Sequence, residues 1–232
     1  MNLNIDWSFF TWELFSNFVI KGLYFSLVLT VIATVGGILL GTVLALMRLS
    51  GKKWLDVPAT IYVNGMRSIP LVMVILWFFL LVPMIIGRPI GAEVSAVVTF
   101  IGFEAAYFRE IMRAGIQSIP RGQRYAGMAM GFTTFQYYRY VLLPMAFRII
   151  IPPLTSETMN IFKNSSVAFA VSVAELTMFA MQAQEETSRG IEVYLAVTGL
   201  YVISALAINR IMAFVEKRSR VPGMIAAGGG GH

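Results

Sequence analysis

The chain has 232 residues, of which 57% are hydrophobic and only 13% are charged. A soluble domain runs about 45–50% apolar and about 25% charged, so too little polar surface remains to coat a water-soluble globule, and the length suits one integral membrane domain. With no cysteine, disulfides, thiol nucleophiles and iron–sulfur clusters are excluded, and the single histidine, His232, is the last residue behind Gly228–Gly231. Neither a Ser-His-Asp triad nor a multi-histidine metal site is available. The nearest approach to a phosphate-binding loop, Gly36 to Gly41, continues with Thr42 and Val43 where a lysine is required. No catalytic residue and no metal ligand is expected. The net charge of +6 reads as the positive-inside bias of membrane proteins and not as a nucleic-acid footprint.

In chain order, residues 1–21 read as an external N-terminal segment. Gly22 to Met47 is free of charge for 26 residues between Lys21 and Arg48, about 39 Å as a helix and enough to cross a hydrocarbon core of about 30 Å. Gly37 and Gly41, with Gly36 and Ala33, give this span a small-residue patch for close packing within the chain. Ser68 to Gly87 is a second charge-free run, of 20 residues, between Arg67 and Arg88. A third span is expected from about Ile90 to Met112, carrying Glu93, Glu104, Arg109 and Glu110, with Arg109 and Glu110 pairing. A fourth runs from about Met145 to Phe162 and contains Arg148 and Glu157, and a fifth is Val193 to Asn209. Glu185 and Glu186 fall in an external loop before it. These spans make one transmembrane domain over 22–216, followed by a disordered cytosolic tail over 217–232.

Five spans put the termini on opposite sides, and charge sets which. With the C-terminus inside, the cytosolic segments hold Arg48, Lys52, Lys53, Arg113, Arg121, Arg124, Arg139, Lys217, Arg218 and Arg220, ten cations, against Lys21, Arg88 and Arg189 outside. The N-terminus is therefore expected outside and the C-terminus in the cytosol.

The longest cytosolic connection, about 116–144, parses as a compact knob. Gln123 to Met130 suits a short helix and Gly131 its left-handed cap. Thr133 followed by Gln136 is a capping box opening a second short helix, and Pro144 ends that helix or opens the next span. The knob is shaped to enter a groove on a soluble partner.

This stretch resembles the EAA loop of ABC importer permeases, Glu-Ala-Ala, three residues, Gly, nine residues, Ile-x-Leu-Pro. Gly131 is followed by nine residues and then Val141-Leu142-Leu143-Pro144. Counting back, the Glu-Ala-Ala positions hold Tyr125, Ala126 and Gly127, so the spacing is kept and the glutamate is replaced. The literal Glu104-Ala105-Ala106 has Glu110, not glycine, at the required distance. Four further segments resemble the polar amino acid branch of the family: Arg67-Ser-Ile-Pro70-Leu71; Tyr107, Glu110, Arg113 and Gly115-Ile116; Arg121-Gly122-Gln123; and Pro152-Pro153, Glu157, Lys163-Asn164-Ser165-Ser166. The resemblance implies an all-α type I importer transmembrane domain of about five helices. The run after Arg67 and Phe103-Glu-Ala-Ala-Tyr107 look most like glutamate/aspartate permeases. It implies partners as well: a dimer of ATPase subunits that bind ATP and Mg, a second permease of the same or a homologous chain, and a periplasmic solute-binding protein, all at a bacterial inner membrane. No cofactor is expected in this chain and no nucleic acid. Arg121, Gly122, Gln123, Ala126, Gly127, Gly131 and Pro144 are the positions the resemblance assigns to ATPase coupling.

Polar residues at bilayer depth are expensive and face a cavity or a partner. Ser156, Asn160, Lys163 and Asn164 fall on one face of the fourth span, with Glu157 about 100° away by helix geometry. As the cavity lining, Glu157 would take an amino acid's ammonium, and Lys163 or Asn164, with Ser165 beside them, its α-carboxylate. Arg67 is the cation for an acidic side chain. The alternative is that Lys163 and Asn164 end the span and snorkel. The expected function is the permease subunit of an ATP-driven glutamate/aspartate importer. The alternatives are a glutamine, histidine, arginine or cystine permease, or a stand-alone secondary transporter or channel. An intramembrane aspartyl enzyme is disfavoured, since the only aspartates are Asp6 and Asp56.

Overall fold

Without water in the hydrocarbon core a backbone must satisfy its own polar groups, which leaves helices as the economical solution for a chain of this composition. The computed structural model describes residues 7, 8 and 11–219, and every element among them is helical. The short α1 (Trp12–Leu14) passes through a π-helical turn, Phe15–Ile20, into α2 (Lys21–Leu49). Then follow α3 (Lys53–Ser68), α4 (Leu71–Ile86), α5 (Ala92–Gln117), α6 (Arg121–Ala129), α7 (Thr134–Tyr137), a π-helical turn Tyr138–Leu142, and α8 (Leu143–Asn164). A 3-10 helix, Ser165–Val171, α9 (Leu176–Thr187) and α10 (Gly190–Ser219) complete the chain.

The helices α2 and α10 are each long and apolar enough to cross a membrane alone, and two bent helical pairs raise that number to four among the described residues. The 26-residue α5 is long enough as well, and its charged residues hide it from hydropathy; with it the five expected spans have their helices. The expected second span, Ser68 to Gly87, is α4, and the chain bends sharply at its start. Ile69, held extended (φ −110°, ψ 136°) by the proline after it, turns the chain by 110° from α3 into α4. Gly87, at φ +70°, caps α4. Three boundaries differ from the sequence reading. The segment before the first span is already helical from Trp12, α10 continues to Ser219, and Glu185 and Glu186 lie in the last turn of α9. Residues 1–6 and the tail from Arg220 through Gly228–Gly231 and His232 lie outside the described residues.

The core is built around α5. Its Ala96, Phe100, Phe103 and Phe108 meet Leu29 and Ala33 of α2, Val74 and Ile75 of α4 and Ile161 of α8. The α2–α5 crossing uses the small-residue patch. A Cβ on Gly41 would stand 3.0 Å from the Ala105 carbonyl oxygen, and one on Gly37 would stand 2.8 Å from the Phe108 ring. Only hydrogens fit there, so the patch serves packing within the chain. At the α5–α8 crossing a Cβ on Gly115 would come 2.3 Å from Ile150. Elsewhere a buried carboxylate ties the C-terminal third together. Glu175 accepts from the backbone N–H of Thr177 (2.9 Å) and Met178 (2.8 Å) at the start of α9, and from the Tyr201 hydroxyl of α10 (2.9 Å).

A larger residue at Gly41 must force two backbones apart, and overpacking costs about 1–3 kcal/mol. Gly199, in α10, has nothing within 4 Å of its Cβ position. Gly41→Leu should therefore melt measurably earlier than the native chain in detergent, and Gly199→Leu should not. Equal losses at the two positions would show that the crossing does not set stability.

Candidate functional site

Two places carry chemistry that the core does not need. The first is the knob between α5 and α8. Pro120, in extended backbone, opens α6, and Gly131 at φ +76° closes it. The Phe132 N–H donates to the Gly127 carbonyl at 3.0 Å and the Gly131 N–H to that of Met128 at 3.0 Å, the paired bonds of a glycine-capped helix end. Thr133 opens α7 with the expected capping box. The Gln136 N–H donates to the Thr133 hydroxyl (3.2 Å), and the Thr133 N–H donates to the Gln136 side-chain oxygen (2.8 Å). Helix α7 then continues through the π turn into α8, so Pro144 stands in the first turn of α8 and opens that span. Gly127 is buried where α6 crosses α7, and a Cβ there would sit 3.2 Å from Tyr137. Arg121, Gly122, Gln123, Ala126 and Gly131 are exposed. So are Tyr125, Met128, Phe135 and Tyr138, which gives the knob an apolar and aromatic surface edged with arginine.

The second place lies on α5 and the helices around it. Glu110 receives Arg109, accepts twice from Arg113 (3.0 and 2.7 Å), and has Arg67 at 3.9 Å. Three guanidiniums thus share one carboxylate. The side chain of Arg109 is 4% exposed and reaches Thr60 of α3 at 3.5 Å. Thr60 donates to Asp56 at 3.1 Å, and Asp56 pairs with Arg48 of α2. Arg67 is the loosest member, 42% exposed, with its guanidinium 5.5 Å from the centre of the Tyr107 ring, a cation–π contact. Asn160 donates to Glu157 at 3.4 Å.

Of the expected residues, Arg67 lies over the Tyr107 ring and Asn160 donates to Glu157 one turn away on α8. Ser165 does not join them: past Asn164 the chain tightens into the 3-10 helix, which turns Ser165 inward and leaves its hydroxyl donating to the Phe162 carbonyl at 2.7 Å. Lys163 is exposed and Asn164 half-buried at the end of α8. Lys163 makes no ion pair among the described residues. Glu104 is the residue the sequence reading passed over. The available signal was its one-turn spacing to Tyr107.

Removing one partner of a buried ion pair costs about 3–5 kcal/mol, whereas an exposed pair contributes about 0–1 kcal/mol. Glu110→Gln strands the buried Arg109 and should lower thermal stability sharply. Arg67→Gln should leave the melting curve nearly unchanged. The reverse order would break this account of the network.

Residues 37–221 match the family model described as "Binding-protein-dependent transport system inner membrane component". The chain is 38% identical over 221 residues to the glutamate/aspartate import permease protein GltK of Escherichia coli, covering 92% of this chain and 98% of that one. It is 33% identical over 241 residues to the permease protein GltJ of the same species' glutamate/aspartate import, covering 96% and 98%. Among solved structures, a crystal structure of an amino acid ABC transporter with histidines superposes with a TM-score of 0.85 at 30% identity, covering 92% of this chain and 100% of that one.

Proposed function

The chain belongs to the family of binding-protein-dependent inner membrane transport components and is the permease subunit of an amino acid ABC importer, and from that premise we propose that its cargo is an acidic amino acid, glutamate or aspartate. The observation that carries this reading is the surplus of arginine beside Tyr107. Glu110 is already met closely by Arg109 and Arg113, so Arg67 is left with charge to spare for an incoming carboxylate. Glu157, steadied by Asn160, is the counterpart for the ammonium, and Lys163 and Asn164 stand at the end of the same helix for the second carboxylate. The two relatives named as glutamate/aspartate import permeases support the same cargo.

Hydrolysis of ATP belongs to a separate subunit in this family, and the proposed work of this chain is to couple that subunit to the cavity. The knob, on the cytosolic side as the charge split expects, sets Tyr125, Met128 and Phe135 into a groove of the ATPase. Closure of an ATPase dimer around ATP and Mg draws two knobs together, one from this permease and one from a second. The helices then rock to open the cavity toward a periplasmic solute-binding protein, which is alternating access driven by a partner.

Two experiments test the two ends of this mechanism. In proteoliposomes supplied with ATPase and binding protein, Arg67→Gln removes one charged hydrogen bond, about 1.5–3 kcal/mol, so glutamate uptake should weaken about tenfold to hundredfold with basal ATP hydrolysis intact. Native uptake by this variant would refute the assignment of Arg67. At the knob, Gly131→Pro fixes φ near −65° where +76° is needed. The variant should insert but lose the ATPase on purification, and recovery of the ATPase at native yield would refute the coupling role.

A further inference from the structure

The three cations around Glu110 are not equivalent. Its Oε1 receives Arg109, whose buried side chain also reaches Thr60 of α3 at 3.5 Å, so that partner is fixed. Its Oε2 is shared. Arg113 donates to it from Nε at 3.0 Å and from Nη2 at 2.7 Å, and Arg67 holds Nη1 at 3.9 Å from the same oxygen. At that distance Arg67 contributes charge without a hydrogen bond, and its guanidinium rests on the Tyr107 ring. The side chains of Arg67 and Arg113 are 42% and 32% exposed, so the two movable cations compete for one oxygen while the buried one does not.

Arg113 has a second engagement. Its Nη1 donates to the Gln117 side-chain oxygen at 2.5 Å, and Gln117 is the last residue of α5. Two residues on, Ile119 is buried in one cluster with Ala146 and Ile150 of α8, and Pro120 after it opens the knob. One side chain therefore has Glu110 at one end and the root of the knob at the other. Gln117 is exposed, where water serves an amide nearly as well, so the fold gains little from this bond.

We propose that Arg113 and Gln117 are positioning residues that report the occupancy of the cargo site to the knob. The inference rests on the reading above that Arg67 binds a cargo carboxylate. When it does, Arg67 leaves Glu110 without breaking a hydrogen bond, and Oε2 passes to Arg113 alone. The pair then tightens, because the attraction is no longer shared and the like charge of Arg67 has moved off. Arg113 is drawn toward Glu110, and its bond to Gln117 pulls on the last turn of α5, from which the knob starts. The signal is an exchange of carboxylate partners by Arg67.

The test uses the complete transporter in proteoliposomes with ATPase and binding protein. It reads the stimulation of ATP hydrolysis by glutamate-loaded over empty binding protein. The native transporter should be stimulated. Gln117→Leu removes the acceptor and leaves Arg67, Glu110 and Arg113 paired. Its stimulation should fall about fivefold or more, the low end of a coupling between two sites, at an unchanged half-saturating glutamate concentration for uptake. Gln117→Glu keeps an acceptor and should keep the stimulation. Adding Gln117→Leu to Arg67→Gln should cost no further stimulation at saturating glutamate, because members of one relay are not additive. An unstimulated native transporter, native stimulation in Gln117→Leu, or losses that add in the double variant each overturn the relay and leave the cargo reading standing. Native uptake by Arg67→Gln would instead overturn the cargo reading beneath it, so the two failures are distinct.

Discussion

Lipid tails are as apolar as leucine, so helices in a bilayer gain little by burying apolar surface against one another and associate where their backbones can come close. In this chain that place is the crossing of α2 on α5, where Gly37 and Gly41 leave room for nothing larger than hydrogen against Ala105 and Phe108. The crossing puts α5 in the middle of the molecule, covered by α2, α3, α4 and α8. Only a helix covered on so many sides can carry Glu104, Arg109, Glu110 and Arg113 at this depth, because each charge meets protein and not lipid.

The same crossing divides the polar groups into settled and unsettled ones. Glu175, with three donors, and Glu110, with Arg109 and Arg113 close by, are compensated and hold helices together. Arg67 is a cation beyond what Glu110 needs, and Glu104 is a buried acid whose oxygens meet no hydrogen-bond donor among the described residues. Leaving a buried carboxylate unpaired costs several kilocalories that an apolar residue would not. Arg67 lies over the Tyr107 ring, and Glu104 stands one turn before Tyr107 on α5. Local stability therefore does not account for either group.

What the sequence made legible follows from the range of the interactions concerned. The capping box at Thr133 and Gln136 and the glycine cap at Gly131 are local, and their spacing alone carries them. The glycine patch on α2 and the polar face of α8 needed only helical periodicity. The bend at Ile69 went unread because the charge-free run was taken to start at Ser68, two residues before Pro70, and a count of charges does not register a proline. Ser165 was misplaced because a change from α to 3-10 winding rotates a side chain without altering composition. Glu175 and Glu104 lay beyond reach for a tertiary reason. What separates a capped carboxylate from an orphaned one is whether α10 or α8 supplies the facing group, and no spacing within the segment records that.

The knob and the cluster are joined by one path through the chain. Helix α7 runs through the π turn into α8 without a break, so Tyr137 at the knob and Glu157 at the cluster lie on one continuous helical segment, about 30 Å apart at 1.5 Å per residue. That path is weakened at two points. At the π turn the Leu143 N–H reaches back to the Tyr138 carbonyl, one residue farther than an α-helix requires. At Pro152 and Pro153 two backbone donors are missing from the ladder, and the hydroxyls of Thr155 and Ser156 donate in addition to the Pro152 carbonyl, at 2.7 and 3.2 Å. Between these points Ile150 is wedged against Gly115, which pins the middle of α8 to α5. On the coupling role proposed for the knob, a push there would pass to α8 as a tilt about that wedge, with the prolines as the points where the segment bearing Glu157 and Asn160 can turn relative to the segment bearing Pro144. On the proposed mechanism a movement of the knob would reach Glu157 and Asn160 through that wedge, which would tie release of the cargo to the state of the partner that moves the knob.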